Sequence, residues 1–370
     1  HNPPIYNGFK YKPEYAGSAS PAVISRIEAQ IASISAGGAI QRLPKAEAEA
    51  AKLLEPFDPS PPYIEQLGKL VDLQAIKDAG MTIVVDAMYG AGAGYYPRLL
   101  ADGVTKVVEI NAERNPYFGS VNPEPITPNL GKLIKVVQQS GSSIGIALDG
   151  DSDRVGIVDE KGTFVNQLQV FALLSLYLLD VRGWRGGLVK SVSTTSMIDK
   201  LGAMYGVPVY ETAVGFKYIG PKMIEEDAII GGEESGGFGF RGHIPERDGI
   251  LAGLFMIDMM IKLKLSCSGL LEYLRDKVGP YYYERLDLHF PQEEREAILR
   301  RIAEAAPETL AGEKVVETKR TDGYKYITDQ GSWLLIRFSG TEPIMRIYTE
   351  THAEEAVPEI LSTGKRLAGL

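Results

Sequence analysis

Residues 145–160 read G-I-A-L-D-G-D-S-D-R-V-G-I-V-D-E, and the D-G-D-S-D-R at their centre decides how the chain is read. Asp149, Asp151 and Asp153 place carboxylates at alternate positions, with Gly150 and Ser152 as small spacers. Ile144 to Leu148 before them and Val155 to Val158 after them are apolar, strand-like runs. Carboxylates crowded on one turn repel each other unless a cation sits among them, and oxygen-only ligation selects a hard ion such as Mg²⁺ over zinc. An EF-hand loop competes, since Asp149, Asp151, Asp153 and Glu160 occupy positions one, three, five and twelve. It fails, because position six is Arg154 instead of glycine and the flanks are strands instead of helices. A solvated acidic turn is the bland alternative, disfavoured because such a strand-end cluster is costly without a ligand.

The rest of the composition bounds the function. A chain of 370 residues is too long for one core and predicts two to four domains. Hydrophobic residues make up 44% and charged residues 24%, ordinary for a globular protein. A net charge of −9 argues against a nucleic-acid partner. The single cysteine, Cys267, excludes a disulfide framework and a cysteine-based zinc site and points to a reducing, cytoplasmic setting. Apolar runs such as Val170 to Leu179 are too short to span a bilayer, so no membrane association is expected.

Four sections follow from patterning. Residues 1–58 hold a strand-like piece (Asn7 to Tyr11), a helix carrying Ile24, Ile27, Ile31 and Ile34 and ended by Gly37-Gly38, a helix-prone Lys45 to Leu54, and a proline-rich linker. Residues 59–163 alternate helix, strand (Met81 to Asp86), glycine-rich turn, helix (Tyr95 to Leu100), strand (Lys106 to Ile110), helix (Asn129 to Gln139) and strand. Residues 164–279 restart that alternation, with a helix to Leu179, strands at Gly187 to Ser191 and Ala228 to Gly231, and a helix at Ser196 to Tyr205. Residues 280–370 carry an alternating strand (Tyr283 to Phe290), a charged helix (Gln292 to Ala306), two more strands and a closing helix. The expected fold is α/β: successive domains with mixed, mostly parallel sheets around a central cleft, and a C-terminal α+β domain.

Two more loops carry chemistry. Gly231-Gly232-Glu233-Glu234-Ser235-Gly236-Gly237 follows an apolar strand, and carboxylates on a glycine-flexed strand end suit hydrogen bonding to sugar hydroxyls. Its bland reading is a tight turn with incidental charge. Arg337-Phe338-Ser339-Gly340-Thr341-Glu342-Pro343 offers a guanidinium, hydroxyls and backbone N–H groups to one anion, against the alternative of a plain hairpin turn. A metal turn, a polyol loop and a phosphate loop together argue phosphoryl transfer on a phosphosugar.

On these motifs the chain resembles the α-D-phosphohexomutase superfamily of phosphoglucomutases and phosphomannomutases. The family has four domains, each giving one loop to a central cleft: a phosphoserine loop, a D-G-D-x-D-R metal loop, a G-E-x-S-G sugar loop and an R-x-S-G-T-E-P phosphate loop. The last three occur here in that order. The family's phosphoserine loop, T-A-S-H-N-P followed by N-G-x-K, is matched from His1-Asn2-Pro3 through Asn7-Gly8-Phe9-Lys10. The resemblance implies that the nucleophilic serine would immediately precede His1, with an intact enzyme extending further upstream.

Carried over by position, the resemblance implies that Asp149, Asp151 and Asp153 hold one Mg²⁺, that Arg154 faces the transferring phosphoryl group, and that Lys10 is the general acid/base candidate, with an electrostatic role if it stays protonated. His1 would help organise the nucleophile. Glu233 and Ser235 would bind the sugar, with Lys217 of the T-A-V-G-F-K segment lining the cleft; Arg247 is a further cleft candidate against the alternative of a surface ion pair. Arg337, Ser339, Gly340 and Thr341 would grip phosphate. The implied reaction interconverts hexose 1-phosphate and 6-phosphate through a phosphoserine and a hexose 1,6-bisphosphate intermediate. The partner is a small phosphosugar; the oligomeric state is left open. Glu233-Glu234-Ser235, and Gly237 where dual-specificity members carry histidine, lean toward glucose phosphate over mannose or glucosamine phosphate. The competing readings are a non-catalytic phosphosugar-binding fragment and a Mg²⁺-dependent sugar phosphatase.

Overall fold

The computed structural model describes residues 2, 4–6, 8–38, 40–338 and 344–370. Helix α1 (Pro21–Ser35) starts where Ser20 caps it and Pro21 takes the first helical position, whose N–H has no intrahelical partner. Its isoleucine stripe stays largely exposed, Ile31 at 57%. The strand expected from Asn7 to Tyr11 does not form over Gly8–Tyr11, because no described strand lies beside it to share a ladder; Asn7 lies outside the described residues. The following helix α2 (Lys45–Ala50) stops short of Leu54.

The second section packs α3 (Ser60–Leu70) and α4 (Leu73–Asp78) beside strands β1 (Thr82–Asp86), β2 (Lys106–Ile110), β3 (Ile144–Leu148), β4 (Val155–Asp159) and β5 (Phe164–Val165), with helices α5 (Tyr95–Leu99) and α6 (Gly131–Ser140) in the crossovers. The sheet order is β2-β1-β3-β4-β5, so Phe164 and Val165, expected to open the third section, instead pair onto β4 as the edge of this sheet. β1 runs parallel to β2 and β3, as a helical crossover requires, whereas β4 and β5 return antiparallel. Every residue of β3 and β4 is buried, which explains their unbroken apolar reading.

In the third section α7 (Gln167–Leu176) opens with a reciprocal capping box between Asn166 and Gln169. There follow β6 (Leu188–Ser191), α8 (Met197–Tyr205), β7 (Val209–Thr212), α9 (Phe216–Glu225), β8 (Ile230–Gly232), β9 (Phe238–Phe240), α10 (Gly249–Leu263) and α11 (Cys267–Val278). Their sheet is ordered β7-β6-β8-β9, parallel except for the β8–β9 hairpin. Helix α10 is buried from Gly249 to Met260, and it packs against both the second and third sections. One continuous core therefore joins them.

The last section has a separate core. Its strands are β10 (Tyr282–His289), β11 (Thr309–Leu310), β12 (Glu313–Lys319), β13 (Tyr324–Thr328), β14 (Trp333–Phe338) and β15 (Ile344–Thr351), with helices α12 (Arg295–Glu304) and α13 (Val357–Ala368). They form an antiparallel sheet ordered β10-β15-β14-β13-β12-β11. Five strands follow the charged helix where the sequence suggests two. The polar spelling of Glu313–Lys319 hides β12, a half-exposed strand. Among the described residues no helix is long and apolar enough to cross a membrane.

Candidate functional site

The carboxylate turn joins β3 to β4. Ser152 takes a left-handed conformation (φ 63°), and Asp149 accepts the N–H groups of Ser152 and Arg154 at 3.1 and 3.0 Å, through its carbonyl and its Oδ1 respectively. The loop after β1 supports the turn from below: Ala91 donates its N–H to Gly150 O at 3.0 Å, and a Cβ on Gly90 would stand 2.7 Å from that same oxygen. Glycine is needed there for close approach.

One carboxylate oxygen from each of Asp149, Asp151 and Asp153 lies within 4.8 Å of the others. Asp149 Oδ2 is buried with no hydrogen-bond partner. Burial, then the neighbouring Asp153 and Asp151 charges, push the Asp149 carboxyl up to about 7. An orphaned buried oxygen in an all-oxygen donor set fits a hard divalent cation, which would supply that oxygen's missing partner and cancel the repulsion.

Lys10 reaches this turn from the first section, its ammonium 2.8 Å from Asp151 and 3.8 Å from Asp153. Burial acts against the Lys10 charge, but the bond to Asp151 and the fields of both carboxylates outweigh it, so the net shift is upward. The ammonium stays protonated at neutral pH, which favours electrostatic work over proton abstraction. Arg154 lies among Asp149, Asp153 and Glu124 at 3.7–3.8 Å. Its backbone also bridges to Gly237, and Val155 N donates to Gly236 O at 3.0 Å, so the carboxylate turn and the β8–β9 loop are stitched together.

Arg247 stands at the meeting point, not on the surface. Its guanidinium contacts Asp153 at 2.6 Å, Glu233 at 3.3 Å and Glu246 at 3.3 Å. A Cβ on Gly237 would fall 2.2 Å from Arg247 Cδ, so the glycine at this position makes room for the arginine. Glu246 in turn accepts from Lys12 and from Ser18 Oγ, which anchors the first section.

Two adjoining cavities share Arg154 and Arg247. One, of about 840 Å³, holds Lys10, Asp151 and Asp153. The other, of about 660 Å³, is lined by Glu233, Glu234, Ser235, Lys217 and Arg337, together with Arg285 and Arg346. Glu234 turns toward the last section, accepting from Tyr283 Oη at 2.8 Å and Arg285 at 3.0 Å. Arg337 donates Nε to Asp322 at 2.8 Å. The structure thus brings Lys10, Asp149, Asp151, Asp153, Arg154, Lys217, Glu233, Ser235, Arg247 and Arg337 to one cleft. His1, Ser339, Gly340 and Thr341 lie outside the described residues. Sequence reasoning missed Lys12, Glu246, Asp322, Arg285 and Arg346. The last two sit on strands β10 and β15, paired edge to edge, where a charged residue reads as an ordinary solvent-facing position.

Family models for phosphoglucomutase/phosphomannomutase match three segments: alpha/beta/alpha domain II over residues 61–162, alpha/beta/alpha domain III over 166–278, and the C-terminal domain over 293–362. A phosphoglucomutase/phosphomannomutase of Thermococcus kodakarensis is 34% identical over 99% of this chain and 76% of its own. A protein of the same organism assigned as a phosphoglucosamine mutase is 31% identical over 99% of this chain and 77% of its own. The crystal structure of a Thermus thermophilus protein assigned as a phosphomannomutase superposes with a TM-score of 0.84 at 32% identity, covering 100% of this chain and 77% of that one. With the carboxylate turn, the glycine-flexed loop and the arginine-lined wall meeting in one cleft, and with these matches along nearly its whole length, the chain belongs to the α-D-phosphohexomutase superfamily.

Proposed function

We propose that the chain interconverts hexose 1-phosphate and hexose 6-phosphate, with glucose phosphate the preferred substrate. One observation carries the reading: a carboxylate turn suited to a cation and a wall of cationic side chains stand in adjoining cavities that share Arg154 and Arg247. A phosphosugar has a group for each end, a hydroxyl to be phosphorylated and a phosphate to be held.

Asp149, Asp151 and Asp153 are the residues that would hold Mg²⁺, which supplies charge neutralisation at the transferring phosphoryl group. Lys10 and Arg154 add fixed positive charge beside it. Glu233, kept in place by Arg247, and Ser235 orient the sugar hydroxyls. Arg337 and Lys217 grip the phosphate remote from the metal turn. Because one grip serves whichever phosphate is remote, the sugar is able to bind in either direction, which a 1-to-6 exchange through a hexose 1,6-bisphosphate requires. The phosphoryl donor in this reading is a phosphoserine. Specificity for the epimer rests on Glu233 and Ser235 at the cleft wall; Glu234 faces Arg285 and acts on it only indirectly.

The test uses the polypeptide as its gene encodes it, with Mg²⁺ and glucose 1-phosphate, following glucose 6-phosphate and free phosphate in parallel. Isomer exchange is expected, and Asp151→Asn should abolish it while leaving the fold intact. Phosphate release without exchange would replace this reading with a sugar phosphatase.

A further inference from the structure

Asp322 belongs to none of the motifs, yet one of its oxygens spans a domain boundary. It sits on the turn between β12 and β13. Its Oδ2 accepts the Arg337 Nε–H at 2.8 Å and the backbone N–H of Val214 at 3.0 Å. The turn is pressed onto β14: Gly323 has φ +97°, and a Cβ there would lie 2.4 Å from Ile336 O, so the carboxylate is delivered at a fixed height beside Arg337. Val214 is itself held at the boundary, packed against the buried cluster of Val192, Trp333, Leu335 and Tyr348. Three residues on, Lys217 lines the same cavity as Arg337.

We propose that Asp322 is a positioning residue that orients Arg337 and locks it to the Val214–Lys217 segment, so that the two cationic side chains act as one grip on a phosphate monoester. The proposal rests on the reading of this cavity as the phosphate-holding end of the cleft. A guanidinium fixed through Nε can no longer swing about its stem, and its plane, which decides bidentate recognition of a phosphate, is set before the ligand arrives. Because the same oxygen holds Val214, displacing the last section relative to the third breaks the Val214 contact and separates Arg337 from the Lys217 segment, while the Asp322–Arg337 contact inside the last section is free to persist.

The experiment measures inorganic phosphate binding by calorimetry, and KM and kcat for both hexose monophosphates, in the gene-encoded polypeptide and its Asp322→Ala, Asp322→Asn, Arg337→Ala and Asp322→Ala/Arg337→Ala variants. Asp322→Ala should weaken phosphate binding roughly tenfold, the low end of what losing an outer orienting partner costs. It should raise KM for both isomers alike and leave kcat within about threefold. Added to Arg337→Ala it should cost less than about a further twofold, since a residue acting through another has nothing left to act on. A folded Asp322→Ala protein that binds phosphate like the parent, or whose loss multiplies fully with that of Arg337→Ala, overturns the proposal. If Asp322→Ala does not fold, the isosteric Asp322→Asn, alone and with Arg337→Ala, is judged by the same two criteria. A parent protein that binds phosphate through this coupled pair without exchanging isomers would sink the mutase reading and leave this one standing.

Discussion

Replacing Arg247 by methionine removes the charge at the centre of the cleft and keeps most of the stem. The guanidinium is only 13% exposed and touches three carboxylates, of Asp153, Glu233 and Glu246. They do not suffer equally. Asp153 keeps Lys10 at 3.8 Å and Arg154 at 3.7 Å, and Glu246 keeps Lys12 and Ser18. Glu233, 8% exposed, keeps no cationic group within 4 Å among the described residues. The variant therefore strands one buried carboxylate, and the expected loss is about 3–4 kcal/mol, the lower part of the range for breaking a buried pair from one side. Acidification should shrink that deficit. Burial already holds the Glu233 carboxyl above its ordinary 4.5, against the pull of Arg247 and Arg154, and removing Arg247 raises it further. An acid whose folded value is raised favours the protonated fold. Its contribution is fully present below 4.5 and is lost as pH rises through the folded value. Urea unfolding in EDTA, read at Trp184 of the third section, measures the difference near neutral pH and again toward pH 4.5. A loss under about 1 kcal/mol at neutrality, or one that grows on acidification, would refute the reasoning.

Mg²⁺ binding should release a proton near neutrality, because the Asp149 carboxyl, pushed up to about 7 by burial and by Asp153 and Asp151, must ionise to become a ligand. Affinity should fall as pH drops through that value; calorimetry in buffers of different ionisation enthalpy checks it, and a flat affinity across the window contradicts it. Arg337→Ala should weaken hexose monophosphate binding by about 2–4 kcal/mol, the scale for losing one partner of a desolvated charge contact. The loss should match for 1-phosphate and 6-phosphate sugars in equilibrium dialysis, and a loss confined to one isomer would show that the grip does not serve both orientations.

The elements legible in the sequence are those with a local cause. Strands β3 and β4 are buried on both faces and read as apolar runs; the triple-aspartate turn between them announces itself because like charges at alternate positions need a cation. Helix α1 is visible from its isoleucine spacing and the Gly37-Gly38 that ends it. Helices α9, α10 and α11 escape the pattern. For α10 the reason is burial on nearly every side, which erases the one-faced pattern that marks a surface helix. In α9 an internal Pro221 masks the signal.

By itself the sequence determined the candidates: a carboxylate turn suited to a hard cation and two glycine-flexed loops read as binding hydroxyls and an anion, each written in a few consecutive residues. It also determined the order in which they occur along the chain. What only the tertiary structure decided is which side chains from distant segments meet. Arg247 reads in sequence either as a cleft residue or as half of a surface ion pair with Glu246 or Asp248; packing keeps the Glu246 contact, buries the side chain and adds Asp153 and Glu233. Glu234 adjoins Glu233 in the sequence yet faces another domain. Asp322 and Val214 are 108 residues apart and share one hydrogen bond. Such contacts leave no trace in local pattern, because their energy comes from burial and from charges brought together across domain boundaries, and those exist only once the separate sheets have docked.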